Sequence, residues 1–403
     1  MDKERKINIL CFIILTGFVL AIIIHYVAGF YLGYGYPYNT FLFRPWDRWT
    51  DFVNTFTISS NPYKAASPEF IYFPFLYKIV TIFTFIPLKT AEIFYLMICI
   101  LSFTAICYKQ LRTEKLSSPE CFIIIPFLTY PFLIALDRAN FEFVVFFCSY
   151  LFVFWYKKHP FWSAIFLGFA IALKAFPVIL AVLLLADRKY KEIAIAALVS
   201  ILASLFSYAT LPGGLGENIS LHLRNLQLYT QSYAVGLEGL YFGNSLWGGI
   251  KFISILTNIK MMSTLTYDIL IVLGLLSIAI YVVFIEKTFW KRAALLICAL
   301  NLFPQVSGDY KLLYIFIPLF LFINQTDHEK LDWSYLILFG LLLIPKDYYH
   351  LPVYPEASLS VLLNPLLMLT LVTLIISSGL VCFFRNRLSR TTTFFDSQLQ
   401  GVH

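Results

Sequence analysis

Residues 7–28 read INILCFIILTGFVLAIIIHYVA, an unbroken apolar run long enough to cross a hydrocarbon core of ~30 Å as a helix. Lys3, Arg5 and Lys6 precede it, but the run is too long for a signal-peptide core and no small-residue cleavage site follows. The expectation is an uncleaved first helix. Residues 267–285 and 361–384 repeat the pattern further along. With 60% hydrophobic and 13% charged residues and a mean hydropathy of +0.77, the 403-residue chain lies far from the ~25% charged average of soluble domains. Only helices and closed barrels satisfy every backbone group in lipid, and the alternation of barrel strands is missing. The chain reads as all-α: a polytopic helical membrane protein, one integral domain over residues 1–403.

Charge placement then threads the membrane. The clusters Lys3/Arg5/Lys6, Lys109/Arg112/Lys115, Lys157/Lys158, Arg188/Lys189/Lys191, Lys287/Lys291/Arg292, Lys330 and Arg385/Arg387/Arg390 fall on one side if the chain crosses about 12 times with both termini in the cytoplasm. That threading makes two demands. Residues 71–87, bracketed by Pro74 and Pro87, must not cross, which leaves residues 90–108 as the second span. Residues 161–186 must break near Lys174-Ala175-Phe176-Pro177, because a proline pushes its predecessor out of the helical region. A first outer loop over 29–90, carrying interfacial helices, and a second over 212–267 follow. The net charge of +7 sits in short clusters between spans and forms no patch for nucleic acid. The seven cysteines lie in or at the edge of apolar runs, without metal-type spacing, and read as packing residues.

Polar groups converge on the outer side in this threading. Asp51 follows the turn Arg44-Pro45-Trp46-Asp47-Arg48-Trp49 and is the candidate general base, tuned by Arg44 or Arg48; its plainer role is a helix cap. Asp47 is the runner-up and a candidate sugar or acceptor contact; its plainer role is pairing with a nearby arginine. Lys174 and Arg138, each at the outer end of a short span, are candidate phosphate ligands, with Arg224 and Lys311 as further cations. At such exposed helix ends, alanine at 174 or 138 should weaken donor use with little loss of folding. Asn140, Asn244 and His350 could meet sugar or acceptor, and Trp46 and Tyr63 could stack on sugar, though an interfacial aromatic belt accounts for many outer rings equally well. Asp137, Glu142, Asp309 and Asp347 lie on the same side without an assigned role. No phosphate-cradling glycine loop, paired metal-ligand histidines or nucleophile elbow occurs, so an activated substrate must arrive in another form, for which a lipid phosphate is the natural candidate.

Several short motifs fall in a telling order: Asp51-Phe52; Asn61-Pro62-Tyr63 followed by Ile71-Tyr72-Phe73-Pro74; Arg138-Ala139-Asn140; Gly168 leading to Lys174-Ala175-Phe176-Pro177; and Gly243-Asn244-Ser245. Up to about Leu321 the chain resembles the class C glycosyltransferases, and among them the polyprenol-phosphate-mannose-dependent mannosyltransferases. The resemblance implies inverting transfer of a sugar, mannose in that family, from a polyprenyl-phosphate donor to a lipid or glycan acceptor, with Asp51 as base. It also implies a multi-pass protein of the inner (plasma) membrane, surrounded by membrane lipids, with its site on the outer face. It requires no cofactor beyond the lipid-linked sugar and no metal. Where members often carry histidine before a late span, this chain has Ser307-Gly308-Asp309-Tyr310-Lys311. A polysaccharide polymerase or ligase, or a transporter of lipid-linked substrates, are the competing classes; a transporter would show repeated halves and midplane charges.

Overall fold

The computed structural model describes residues 1–400 apart from 65, 70, 113–120, 242, 327–328 and 355–356, so Lys115 lies outside the described residues. Among those residues there are helices and no strand, with a single antiparallel bridge between His350 and Ser358. Five helices are long and apolar enough to cross a membrane: Lys3–Tyr31, Leu88–Leu111, Tyr190–Thr210, Thr264–Phe284 and Ser360–Arg385. The last three are only 11%, 22% and 17% buried over their apolar windows. Phe206, Leu265 and Phe284 are each about two-thirds exposed. Water would not tolerate so continuous an apolar surface, so these helices are the lipid-facing wall of a membrane protein.

In chain order the helices are α1 (Lys3–Tyr26), α2 (Thr50–Ile58), α3 (Pro74–Thr81), α4 (Leu88–Leu111), α5 (Cys121–Phe127), α6 (Tyr130–Arg138), α7 (Glu142–Trp155), α8 (Pro160–Leu173) and α9 (Ala181–Ala186). Then come α10 (Tyr190–Thr210), α11 (Gly214–Tyr229), α12 (Leu246–Thr257), α13 (Thr264–Phe284), α14 (Phe289–Leu302), α15 (Phe316–Ile323), α16 (Asp332–Leu343) and α17 (Ser360–Gln400). At 1.5 Å per residue α7, α8 and α14 span only ~21 Å. They are shielded by the longer helices: Trp290 to Leu302 of α14 is wholly buried, as is nearly all of α15. Gly168 lets α8 lie directly on α10, since a Cβ there would come within 2.8 Å of the Ala196 carbonyl and 2.7 Å of Val199.

The break that the threading needs is present: α8 ends at Lys174, whose backbone is extended (φ −151°, ψ 136°), and a 3₁₀ turn over Phe176–Leu180 leads into α9. Residues 74–85 form α3 and a 3₁₀ turn, and α4 begins just after Pro87. One reading is corrected: Cys11 and Cys121 form a disulfide joining α1 to α5, so these two are not mere packing residues; Cys99, Cys107, Cys148 and Cys298 are buried thiols.

Candidate active site

Asp51 sits in the first turn of α2. Phe52 beside it is clamped between the rings of Tyr95 (5.1 Å) and Phe141 (5.7 Å), which fastens α2 onto α4 and the start of α7. The segment before α2 docks on α6: Trp49 N–H donates to the Asp137 carbonyl, Arg138 donates to the Asp47 carbonyl, and Arg48 stands 3.5 Å from Asp137. Asp51 is not a helix cap. Its Oδ1 accepts from Arg138 and its Oδ2 from the Asn140 amide, both at 2.5 Å.

The turn Arg138-Ala139-Asn140 makes this possible. α6 ends on Ala139 in the left-handed region (φ 47°), a strained choice for a residue with a Cβ, and the reversal brings residues 138 and 140 to the same carboxylate. Asn140 Oδ1 accepts the Glu142 N–H (2.7 Å) at the head of α7, so its amide group is the end turned to Asp51. Arg138 also lies 4.5 Å from the Phe43 ring. Arg44 and Arg48, expected to tune Asp51, serve other acids: Arg44 is 4.0 Å from Asp47, and Arg48 pairs with Asp137. An ionised carboxylate has about four acceptor positions. Two are used here, and the Asp51 side chain keeps 15% of its surface open.

A second charged group stands close by. Lys174 at the break after α8 pairs with Glu142 (2.6 Å), which is fully buried and also accepts the Tyr314 hydroxyl (2.6 Å). Lys311 reaches the Phe176 ring (4.2 Å), with no carboxylate or hydrogen-bond acceptor on its ammonium among the described residues. The Lys174 ammonium is 5.0 Å from the Tyr72 ring and 5.8 Å from the Tyr310 ring. Burial first, and then the charge of Asp51, push both of these tyrosine hydroxyls well above their usual range, with Glu142 adding to each. Tyr72 and Tyr310 therefore feel Asp51 and Glu142 alike.

The expected anion ligands need revision. Arg138 and Lys174 each have their charge met by a carboxylate, Asp51 and Glu142 respectively, so neither is an open cation and neither should be truncated without a folding cost. Lys311 is the cation whose ammonium meets a ring and no hydrogen-bond acceptor among the described residues, although the charge of Glu142 reaches it. Arg224 is exposed on α11, and no contact draws it to this group. Tyr63 is corrected from a sugar-stacking residue to a core residue: it is 1% exposed, stacked on His222, with its hydroxyl on the Tyr72 carbonyl. Trp46 is 70% exposed, edge-on to Tyr36. Asn244 is buried and donates to the Gly308 carbonyl (2.7 Å). His350 is buried against Tyr38 and lines a cavity that Arg138 also lines.

Sequence reasoning left Glu142 and Tyr310 without roles and marked Tyr72 only as part of a short motif and one of many outer rings. Glu142 carried a signal, an acid within an apolar span, which is kept only when paired; Tyr310, among 26 tyrosines, carried none. No group of three or more His, Cys, Asp or Glu residues able to hold a metal occurs among the described residues.

Residues 70–307, more than half of the chain, match the sequence model of glycosyltransferase family 87. No curated protein and no solved structure matches. The matched stretch carries Arg138, Asn140, Glu142 and Lys174, and it is flanked by Asp51 on one side and Lys311 on the other. A buried acid and cation cluster inside a lipid-facing helical wall thus falls in a family of membrane glycosyltransferases: the chain belongs to glycosyltransferase family 87.

Proposed function

We propose that the protein transfers a sugar from a polyprenyl-phosphate donor to a hydroxyl of a lipid or glycan acceptor, with inversion, Asp51 receiving the acceptor's proton. The observation that carries this is the placing of two charge groups about the same pair of rings: Asp51 with Arg138 and Asn140, and Lys174 with Glu142 and Lys311, around Tyr72 and Tyr310. The first group, counted with Arg44 and Asp47, is neutral. The second carries one net positive charge, which a phosphate would offset. Family membership favours a transferase over a transporter.

In the proposed step the acceptor oxygen bonds to the anomeric carbon while the bond from that carbon to the phosphate oxygen breaks. The electron pair leaves on the polyprenyl phosphate, and the hydroxyl proton passes to Asp51. Lys311 meets the charge growing on the leaving oxygen, where a preorganised cation contributes most, while Lys174 stays paired with Glu142. Arg138 and Asn140 aim the Asp51 carboxylate and leave acceptor positions vacant for the incoming proton. Mannose as the sugar, about 12 crossings, the plasma membrane as location and an outer-face site belong to the same reading. It is supported by the resemblance and by the grouping of basic clusters on the opposite side.

Purified protein given radiolabelled polyprenyl-phosphate sugars and a membrane extract should move label to a lipid or glycan. Label moving from a nucleotide sugar, and from no lipid phosphate, would refute the donor. A cysteine placed at Lys189 should resist an impermeant reagent in intact cells; modification there would invert the sidedness.

A further inference from the structure

A cavity of about 60 Å³, lined by Arg138 and Tyr310 but not by Lys174, opens between the first loop, α6 and the segment before α17. Its floor is acidic. Asp309 and Asp347 both line it, and both are more than nine-tenths buried. Asp309 is fully supplied with donors: Tyr130 O–H at 3.0 Å, the Asn364 amide at 3.2 Å and the Gly243 N–H. Asp347 is not. Its Oδ1 accepts from Ser358, which is itself within 2.7 Å of Ser360, but its Oδ2 is buried with no hydrogen-bond partner. Tyr130 stands beside both carboxylates with one proton between them, and its hydroxyl lies 3.0 Å from Asp309, so one of the two acids is always short of a donor.

The neighbouring cation does not supply the deficit. Lys346 donates to the carbonyls of Leu341 (2.9 Å), Leu342 (3.3 Å) and Ile344 (2.7 Å), closing the end of α16; its charge reaches both acids, but among the described residues it gives neither of them a hydrogen bond. A buried acceptor without a donor is costly, and natural proteins keep such a group where a ligand completes it. Burial first, and then the charge of Asp347, raise Asp309 to about 7, as expected for two acids sharing one enclosed space. Gly243 keeps the floor open, for a Cβ there would come within 2.6 Å of Asp309 and 2.8 Å of Ser360. The walls are aromatic, with Phe41 and Tyr241 among them.

Carboxylates at the end of an aromatic-walled slot suit a ligand with several hydroxyl donors and an apolar face. The volume, about that of two water molecules, takes one edge of a sugar ring, a pair of adjacent hydroxyls, with the rest of the ring lying toward Arg138. We infer that the Asp347–Asp309 slot is the subsite that grips the acceptor, and that the acceptor presents a sugar residue there by its diol edge. This rests on the proposed transfer reaction. In an inverting displacement the acceptor approaches from the side opposite the leaving phosphate, and the slot is lined by Arg138, which holds Asp51, and by neither Lys174 nor Lys311.

The test uses the full chain in lipid nanodiscs, methyl α-mannoside as ligand, ethanolamine as a cationic competitor, and saturation-transfer NMR as the readout. The parent should bind the hexoside in the millimolar range. Asp347→Asn should bind it about tenfold more weakly, the loss expected for a hydrogen bond to a charged acceptor, because the new amide keeps the Ser358 contact and cannot accept the sugar hydroxyl. Thr40→Trp, on the rim and clear of the buried acids, should block it by volume alone. Hexoside binding equal in parent and Asp347→Asn, or displacement by ethanolamine in place of a sugar, would overturn the slot while leaving the transfer reaction standing. Binding lost in Asp347→Asn, with no polyprenyl-phosphate sugar consumed by the parent, would uphold the slot and sink the donor.

Discussion

Replacing Asp51 by asparagine changes one oxygen to an amide, and the structure says where that amide must go. Arg138 only donates, and Asn140 turns its own amide to Asp51 because its oxygen already holds the Glu142 N–H. Whichever way the substituted side chain is turned, its NH₂ meets a donor. One charge-assisted hydrogen bond is lost and one donor is left facing another, at a cost of about 1–3 kcal/mol. The partial exposure of the pair, 16% and 15%, places the cost at the lower end of that range. The chemical consequence is larger: loss of a general base lowers turnover by about 10²- to 10⁴-fold. The assay is single-turnover transfer from a saturating polyprenyl-phosphate sugar, read beside a thermal melt of the same sample. Expected are a modest fall in melting temperature, turnover down by at least about a hundredfold, and a donor KM close to that of the parent. Turnover within threefold of the parent, in an assay limited by chemistry, would falsify the base and leave Asp51 as a strut for the Arg138 turn.

Lys311→Ala removes a cation with a ring contact and no hydrogen bond on its ammonium, so folding should be nearly normal while donor KM rises and Lys311→Glu does worse; an unchanged donor KM in both would remove Lys311 from the phosphate site. Lys174→Ala should instead fold poorly, since it strands the fully buried Glu142, a loss of about 3–5 kcal/mol; adding Glu142→Gln should restore a monodisperse protein, and failure of that rescue would show that the pair is not the cause. Burial raises Asp137 to about 6, against the opposing pull of Arg48. The folded state thus holds a proton that the unfolded chain releases between about pH 4 and 6, and this group's contribution to stability falls as pH rises through that window. Asp137→Asn should flatten the decline of melting temperature between pH 4 and 6, and an identical slope in the variant would exclude Asp137 as its source.

Membrane embedding, the all-helical class and the break at Lys174 were legible in the amino-acid order, because apolar run length and proline geometry act over a few neighbouring residues. The order also singled out Asp51, an acid in an aromatic frame just before an amphipathic turn. Which cations are open and which are already spent was decided only by the fold. Arg138 finds Asp51 across 87 residues, Asn140 finds it across 89, and Lys174 finds Glu142 across 32. Ala139 must adopt a left-handed backbone that alanine does not announce, so the first two contacts exist only once α6 and α7 are packed against α2. Tyr63 shows the same limit. An aromatic ring is equally at home at a membrane interface, on a sugar or in a core, and its burial settles which. The acids of the slot, Asp309 and Asp347, carry no local pattern that links them; they meet because the turns before α15 and α17 close over one cavity, and the missing donor on Asp347 appears only when every neighbour is in place.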